Sequence, residues 1–123
     1  MKKALIVDDD NDLLKLYDQS FKNASFDVDI ITNLAEADEL IKTKVYDIIV
    51  LDLVFPNSDA LPTIRLIRSQ NSQNANTPII ILTNLDFGEK TKEALKLGAN
   101  ECMFKVKQTP KDVLEVAKKL TQE

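Results

Sequence analysis

The sequence predicts an α/β protein, a doubly wound five-stranded parallel sheet of the (βα)5 kind, and three observations predict it. Five short apolar runs recur along the 123 residues. Segments with apolar residues at helical spacing separate them, and helix-capping signatures stand where one pattern gives way to the other. Strand followed by helix, five times over and with right-handed crossovers, gives an open parallel sheet covered on both faces.

The elements can be justified in chain order. "ALIV" (4–7) is the first strand, and Leu13, Leu14, Tyr17 and Phe21 mark the buried stripe of the first helix, with Asp10 or Asn11 as its cap. "DVDII" (27–31) is the second strand; Leu34, Ala37, Leu40 and Ile41 follow at helical spacing, and Asn33 with Glu36 reads as a capping box. "DIIVL" (47–51) alternates on neither face, so it reads as a strand covered on both sides. Leu61, Ile64 and Ile67 outline the third helix, and the polar, nearly uncharged "SQNSQNANT" (69–77) reads as a mobile surface loop. "PIIIL" (78–82) is the fourth strand. The fourth helix begins at a capping box of Asp86 with Glu89 and ends at Gly98. "ECMFK" (101–105) is the fifth strand, and Thr109-Pro110 offers a cap with proline at the first helical position. Within that class the expected strand order is the flavodoxin-like 2-1-3-4-5.

Length and composition bound the function. The chain has the size of one domain, 1–123, with no further output domain expected, and 44% hydrophobic against 29% charged residues places it among folding globular chains. No apolar run is long enough to cross a bilayer and the N-terminus turns acidic too early for a secretory signal, so the expectation is a cytoplasmic protein with no membrane partner. A net charge of −4 disfavours direct binding to nucleic acid. One cysteine and no histidine exclude an internal disulfide, a Cys/His zinc site and histidine-dependent nucleophiles, so any metal must be held by oxygen.

The charge gathers where such sheets bind ligands, outside the carboxyl ends of the strands near the switch between strands one and three. Strand one runs into Asp8, Asp9 and Asp10, and strand three ends on Asp52. Adjacent strands lie about 4.8 Å apart, so these acids meet. Like charges about 4 Å apart repel by about 4 kcal/mol at an effective dielectric of ~20. Magnesium, which takes carboxylates and a carbonyl and keeps several waters, would relieve that repulsion. Thr83 and Lys105 end the fourth and fifth strands at the same edge. A lone threonine there usually caps a turn and a lone lysine usually reaches solvent; with three acids they form a constellation.

These residues resemble the receiver domain of two-component response regulators, and the resemblance runs through "LIVDDD", "DIIVLDLVFP", "PIIILTN" and "LGANECMFK" in order. It implies that Asp52 is the phosphoacceptor. It further implies that Asp9 and the Val54 carbonyl ligate Mg2+ directly, Asp8 largely through water, and that Thr83 and Lys105 contact the incoming phosphoryl oxygens. The implied partners are a sensor histidine kinase or phosphotransfer protein and a downstream protein target. The implied signal is a shift of the face made by the fourth helix, fifth strand and fifth helix, which carries Lys90, Lys92, Lys96 and Lys107 and offers a route to a phosphorylation-dependent homodimer. Such a protein catalyses only its own phosphoryl transfer and slow dephosphorylation.

The sequence departs from that pattern in places. Val106 follows Lys105 where proline is common, so a trans bond is expected. Ala60 replaces a common glycine, and Cys102 stands where many receivers carry an aromatic switch residue. Cys102 reads as small-residue packing before a redox group. Val54 and Leu85 are apolar where polar side chains can orient a hydrolytic water, which predicts a long-lived phosphoryl group. The alternative from another class is a pseudo-receiver, an interaction module that works without phosphorylation. A dehalogenase-type phosphatase lacks its second aspartate at Val54, an EF-hand lacks its glycine at Leu13 and its glutamate at Gln19, and no glycine-rich loop supports a Rossmann domain.

Overall fold

All five apolar runs become neighbouring parallel strands. The computed structural model describes residues 1–84 and 88–122. In chain order its elements are β1 (Lys3–Val7), α1 (Asn11–Asn23), β2 (Asp27–Ile31), α2 (Leu34–Thr43), β3 (Ile48–Leu51), β4 (Val54–Phe55), β5 (Ser58–Asp59), α3 (Leu61–Arg68), β6 (Ile79–Thr83), α4 (Glu89–Lys96), β7 (Glu101–Phe104) and α5 (Pro110–Leu120). The main sheet runs β2-β1-β3-β6-β7, which is the expected 2-1-3-4-5 order once the short antiparallel β4–β5 hairpin is set aside.

Alternation along the strands explains why β3 is apolar throughout. Ile49 and Leu51, with Leu5, Val7, Ile79 and Ile81, face a core shared with α2, α3 and α4. Ile48 and Val50, with Ala4, Ile6, Ile80 and Leu82, face the other core, under α1 and α5. A strand with helices on both sides has no solvent face to make polar.

Local chemistry sets the helix ends. Asp10 caps α1 by accepting from the N–H groups of Asp12 and Leu13, as its residue type predicts. Asn33 accepts from Glu36 N–H, and Thr109 with Asp112 completes a capping box ahead of Pro110. Gly88, not Asp86, is the N-cap of α4, and Asp86 itself lies outside the described residues. Ala60, helical at φ −82°, starts α3 without a side-chain cap. Strand ends shift by one residue from expectation: Lys3 joins β1, Asp47 and Pro78 drop out, Thr83 belongs to β6, and Lys105 follows β7. Among the described residues no peptide bond is cis, that of Lys105 and Val106 included.

The α1 C-terminus carries a testable feature. Ser25 N–H donates to the Lys22 carbonyl and Phe26 N–H to that of Phe21, and the two phenyl rings pack at 5.1 Å between centroids. This is the Schellman arrangement, which puts the residue after the cap in the left-handed region, here exposed Ser25 at φ 70°. Ser25→Gly should therefore stabilise the fold by about 0.5–1 kcal/mol, visible as a thermal midpoint raised by a few degrees; an unchanged or lowered midpoint would contradict it.

The 69–77 segment is a surface loop, as expected, but it is pinned to the body of the domain. Asn74 is 1% exposed, and its amide oxygen accepts from Tyr46 N–H at 2.8 Å and from the Thr77 hydroxyl at 3.1 Å. Its amide nitrogen donates to the carbonyls of Ile41 and Lys44 at 2.9 and 2.8 Å. Arg68, at the end of α3, adds a second anchor, donating to the carbonyls of Ala75, Thr77 and Gly98 and to the Asn100 side chain. A buried polar side chain with every group partnered holds its surroundings in one arrangement. The loop is polar because it is a connector between α2, β3 and β6.

Candidate functional site

Pairing of the central strands brings the acids together. Asp52 N–H donates to the Val7 carbonyl at 3.0 Å, so Asp8 and Asp52 leave β1 and β3 side by side. Both are 3% exposed, whereas Asp9 is exposed. One ligand oxygen from each of Asp8, Asp9 and Asp52 lies within 4.8 Å of the others.

Short local bonds aim the carboxylates. Asp10 N–H donates to Asp8 Oδ1 at 3.0 Å, and Val54 N–H donates to Asp52 Oδ1 at 3.1 Å. The opposite oxygens share one cation: Lys105 Nζ lies 2.6 Å from Asp8 Oδ2 and 2.9 Å from Asp52 Oδ2. Lys105 is set by the sheet as well, since its N–H donates to the Thr83 carbonyl at 3.0 Å. Thr83, wholly buried, ends β6 at this same edge. Sequence-predicted Asp8, Asp9, Asp52, Thr83 and Lys105 thus stand at the carboxyl ends of neighbouring strands, with Val54 two residues beyond Asp52.

The electrostatics are unbalanced. Burial, aided by the charge of Asp52, pushes the Asp8 carboxyl above its ordinary range against the hydrogen bond from Lys105. Burial works against the Lys105 ammonium too, but its bonds to Asp8 and Asp52 outweigh that and hold its pKa above the ordinary lysine value. One ammonium cannot neutralise three carboxylates. All the donors are oxygens and two negative charges are left over, a set that fits a hard divalent cation.

The turn after Asp52 was not foreseen as a hairpin. Val54 pairs with Asp59 and Phe55 with Ser58 across Pro56 and Asn57, with Asn57 at φ 59°. Proline followed by a left-handed asparagine is a readable turn signal, and it could have been used. Asp59 at its end accepts from Leu61 N–H at 3.1 Å and pairs with Lys90 at 3.4 Å; the first bond chiefly, then the lysine, holds its carboxyl below the usual range.

The departures from the expected pattern have visible surroundings. Cys102 is half-buried in β7, and burial pushes its thiol up despite a hydrogen bond with Thr91, so it is not a ready thiolate. Val54 is 44% and Val106 80% exposed. Leu85 lies outside the described residues. Lys107 sits over the Phe104 ring, 5.8 Å from its centroid.

Comparison with known proteins gives consistent matches. The response regulator receiver domain family matches residues 4–118. The response regulator ArlR of Staphylococcus saprophyticus is 34% identical over 105 residues, covering 85% of this chain and 46% of that protein. The transcriptional regulatory protein CusR of Escherichia coli is 32% identical over 103 residues, covering 84% and 44%. The chain therefore spans under half the length of these curated relatives. Among solved structures, the receiver domain of Francisella response regulator 1452 superposes with a TM-score of 0.85 at 30% identity, covering 98% of this chain and 97% of the other. Among the described residues, no helix is long and apolar enough to cross a membrane.

Proposed function

This chain belongs to the receiver-domain family of two-component response regulators, which matches residues 4–118, and from that premise we propose that Asp52 is its phosphoacceptor. The observation that carries the proposal is the buried Asp52 carboxylate, held by Val54 N–H and by a lysine that it shares with Asp8.

In the proposed step an Asp52 carboxylate oxygen attacks the phosphorus of a phosphohistidine on a sensor histidine kinase or phosphotransfer protein. The phosphorus–nitrogen bond breaks and its electron pair returns to the imidazole, leaving an aspartyl phosphate. Val54 N–H and Lys105 orient the attacking carboxylate, and Lys105 is within reach to exchange its contact with Asp52 for a phosphoryl oxygen. Asp8, Asp9, Asp52 and the Val54 carbonyl would hold Mg2+, which when bound supplies positive charge opposite the phosphoryl oxygens. Thr83 turns its hydroxyl toward the new group, and α4, β7 and α5 shift with it, which biases a two-state equilibrium read by a downstream protein or a second copy. The setting is the cytoplasm, where the donor kinase domain resides.

The test is intact-protein mass spectrometry after incubation with acetyl phosphate, with and without magnesium. The expected result is one phosphoryl adduct that requires magnesium. The adduct should decay slowly, because Val54 has no polar group with which to orient water; Val54→Asn should shorten its lifetime several-fold. Equal lifetimes in the two proteins would refute the role of Val54. The pseudo-receiver alternative predicts no adduct under any of these conditions, and the complete acid and lysine set speaks against it.

A further inference from the structure

The edge of the sheet farthest from β7 is unlike the rest. β2 pairs with β1 alone among the described residues, and its side chains are only half-buried or exposed, Ile30 at 37%. Beside it Ile31, Ala35, Glu36, Glu39 and Leu40 line an open groove of about 430 Å³. Its floor is apolar and its rim is acidic: Glu36 and Glu39 lie three residues apart on the same face of α2, with Asp27 and Asp29 on the strand alongside. The nearby cations offset that charge only in part, Lys3 from its place opposite Asp27 and beside Asp29 among them. Lys42 and Lys44 make exposed pairs with Glu39 and Asp29, and among the described residues Asp27 and Glu36 have no ion pair. Exposed pairs of this kind contribute little and open readily.

The polarity extends across the molecule. Residues 1–52 contain 12 acidic and 6 basic side chains, residues 53–123 contain 8 and 10, and β2 and β7 close opposite edges of the sheet. A partner approaching the β2 edge meets a negative field that turns away anionic surfaces and steers cationic ones.

We propose that the groove between β2 and α2 is a docking site for a basic, amphipathic segment of a partner protein. Leucine- or valine-sized side chains fill the floor made by Ile31, Ala35 and Leu40, and lysines or arginines on either side meet Glu36 and Glu39. This is the mode in which an amphipathic helix lays its apolar face into a groove. At its Ile31 end the groove adjoins the acidic site, since the Ile31 carbonyl accepts from Asp8 N–H at 3.1 Å, but none of the residues that line it is one of the site residues.

The test is NMR titration of the 15N-labelled chain, in saturating magnesium and at physiological salt, with a Leu/Lys amphipathic peptide of roughly 18 residues, five helical turns. The expected result is saturable shifts of the Ile30, Ile31, Ala35 and Leu40 amides. Glu36→Lys with Glu39→Lys should weaken binding about tenfold, Leu40→Ser should weaken it without a change in charge, and a Leu/Glu peptide should leave the spectrum unmoved. Glu36 and Glu39 are exposed and Leu40 borders the core without being buried in it, so the variants keep the fold, which the dispersion of their spectra verifies. The Asp8 amide, bonded to the Ile31 carbonyl, moves with the groove; shifts centred instead on Asp9, Asp10 and Asp52, or equal affinity in the double variant, would overturn the proposal. So would shifts of the groove amides with protein concentration alone, because the occupant would then be a second copy of the chain.

Discussion

Asp52→Asn should abolish the phosphoryl adduct and at the same time raise the thermal midpoint measured without magnesium. The first effect is absolute, since the amide oxygen is no nucleophile toward phosphorus under these conditions. The second follows from the charge imbalance around Lys105. In the wild type that ammonium serves both Asp8 and Asp52 while Asp9 stands close by. Asparagine keeps one oxygen for Val54 N–H and gives up the one that met Lys105, yet it removes one of three mutually repelling charges and leaves Lys105 to Asp8. The gain should be about 1–3 kcal/mol. The rise in midpoint produced by magnesium should shrink in the variant, because the cation then finds two carboxylates in place of three. An adduct that persists in Asp52→Asn, or a midpoint that falls, would place the acceptor or the strain elsewhere.

Asn74→Ala should cost about 3–5 kcal/mol of stability, enough to threaten folding near physiological temperature. The truncation leaves Tyr46 N–H and the Ile41 carbonyl, both bonded in buried surroundings, without their partner, and it frees the Lys44 carbonyl as well, while the Thr77 hydroxyl keeps its bond to the Tyr46 carbonyl. Asn74→Asp should fare little better: it retains the acceptor for Tyr46 but sets a carboxylate against two carbonyls. Urea unfolding followed by circular dichroism measures the difference. The folded fraction of either variant should still accept a phosphoryl group, because Asn74 bonds residues at the end of the sheet opposite Asp52. A loss below about 1 kcal/mol would mean that water replaces the amide without difficulty.

What the sequence revealed and what it hid divide along a physical line. Strand order, the two-faced burial of β3, the Asp10 cap and the meeting of Asp8, Asp9, Asp52 and Lys105 were legible because each follows from periodicity, from residue type at a boundary, or from where strands end. Asn74 and Arg68 were not. Most of their partners are main-chain carbonyls and N–H groups 7 to 33 residues away, and a carbonyl has no signature in a sequence. A tract of Ser, Gln and Asn reads alike whether it floats or binds. The β4–β5 hairpin has a smaller reason: its strands are two residues each, too short to show a period, and only Pro56-Asn57 marks the turn between them.

The clamp at Gly98 ties the histories of two positions together. Gly98 sits at φ 117°, and a Cβ built there would lie 2.8 Å from Arg68 Nε, while its carbonyl accepts two bonds from the same guanidinium. Any residue with a side chain meets both a strained backbone and the arginine, so drift at 98 must wait until position 68 has shortened, and a shorter residue at 68 abandons the carbonyls of Ala75 and Thr77. The two sites can change only as a linked pair, through an intermediate less stable than either end, and lineages that descend from this chain should keep or lose glycine and arginine together.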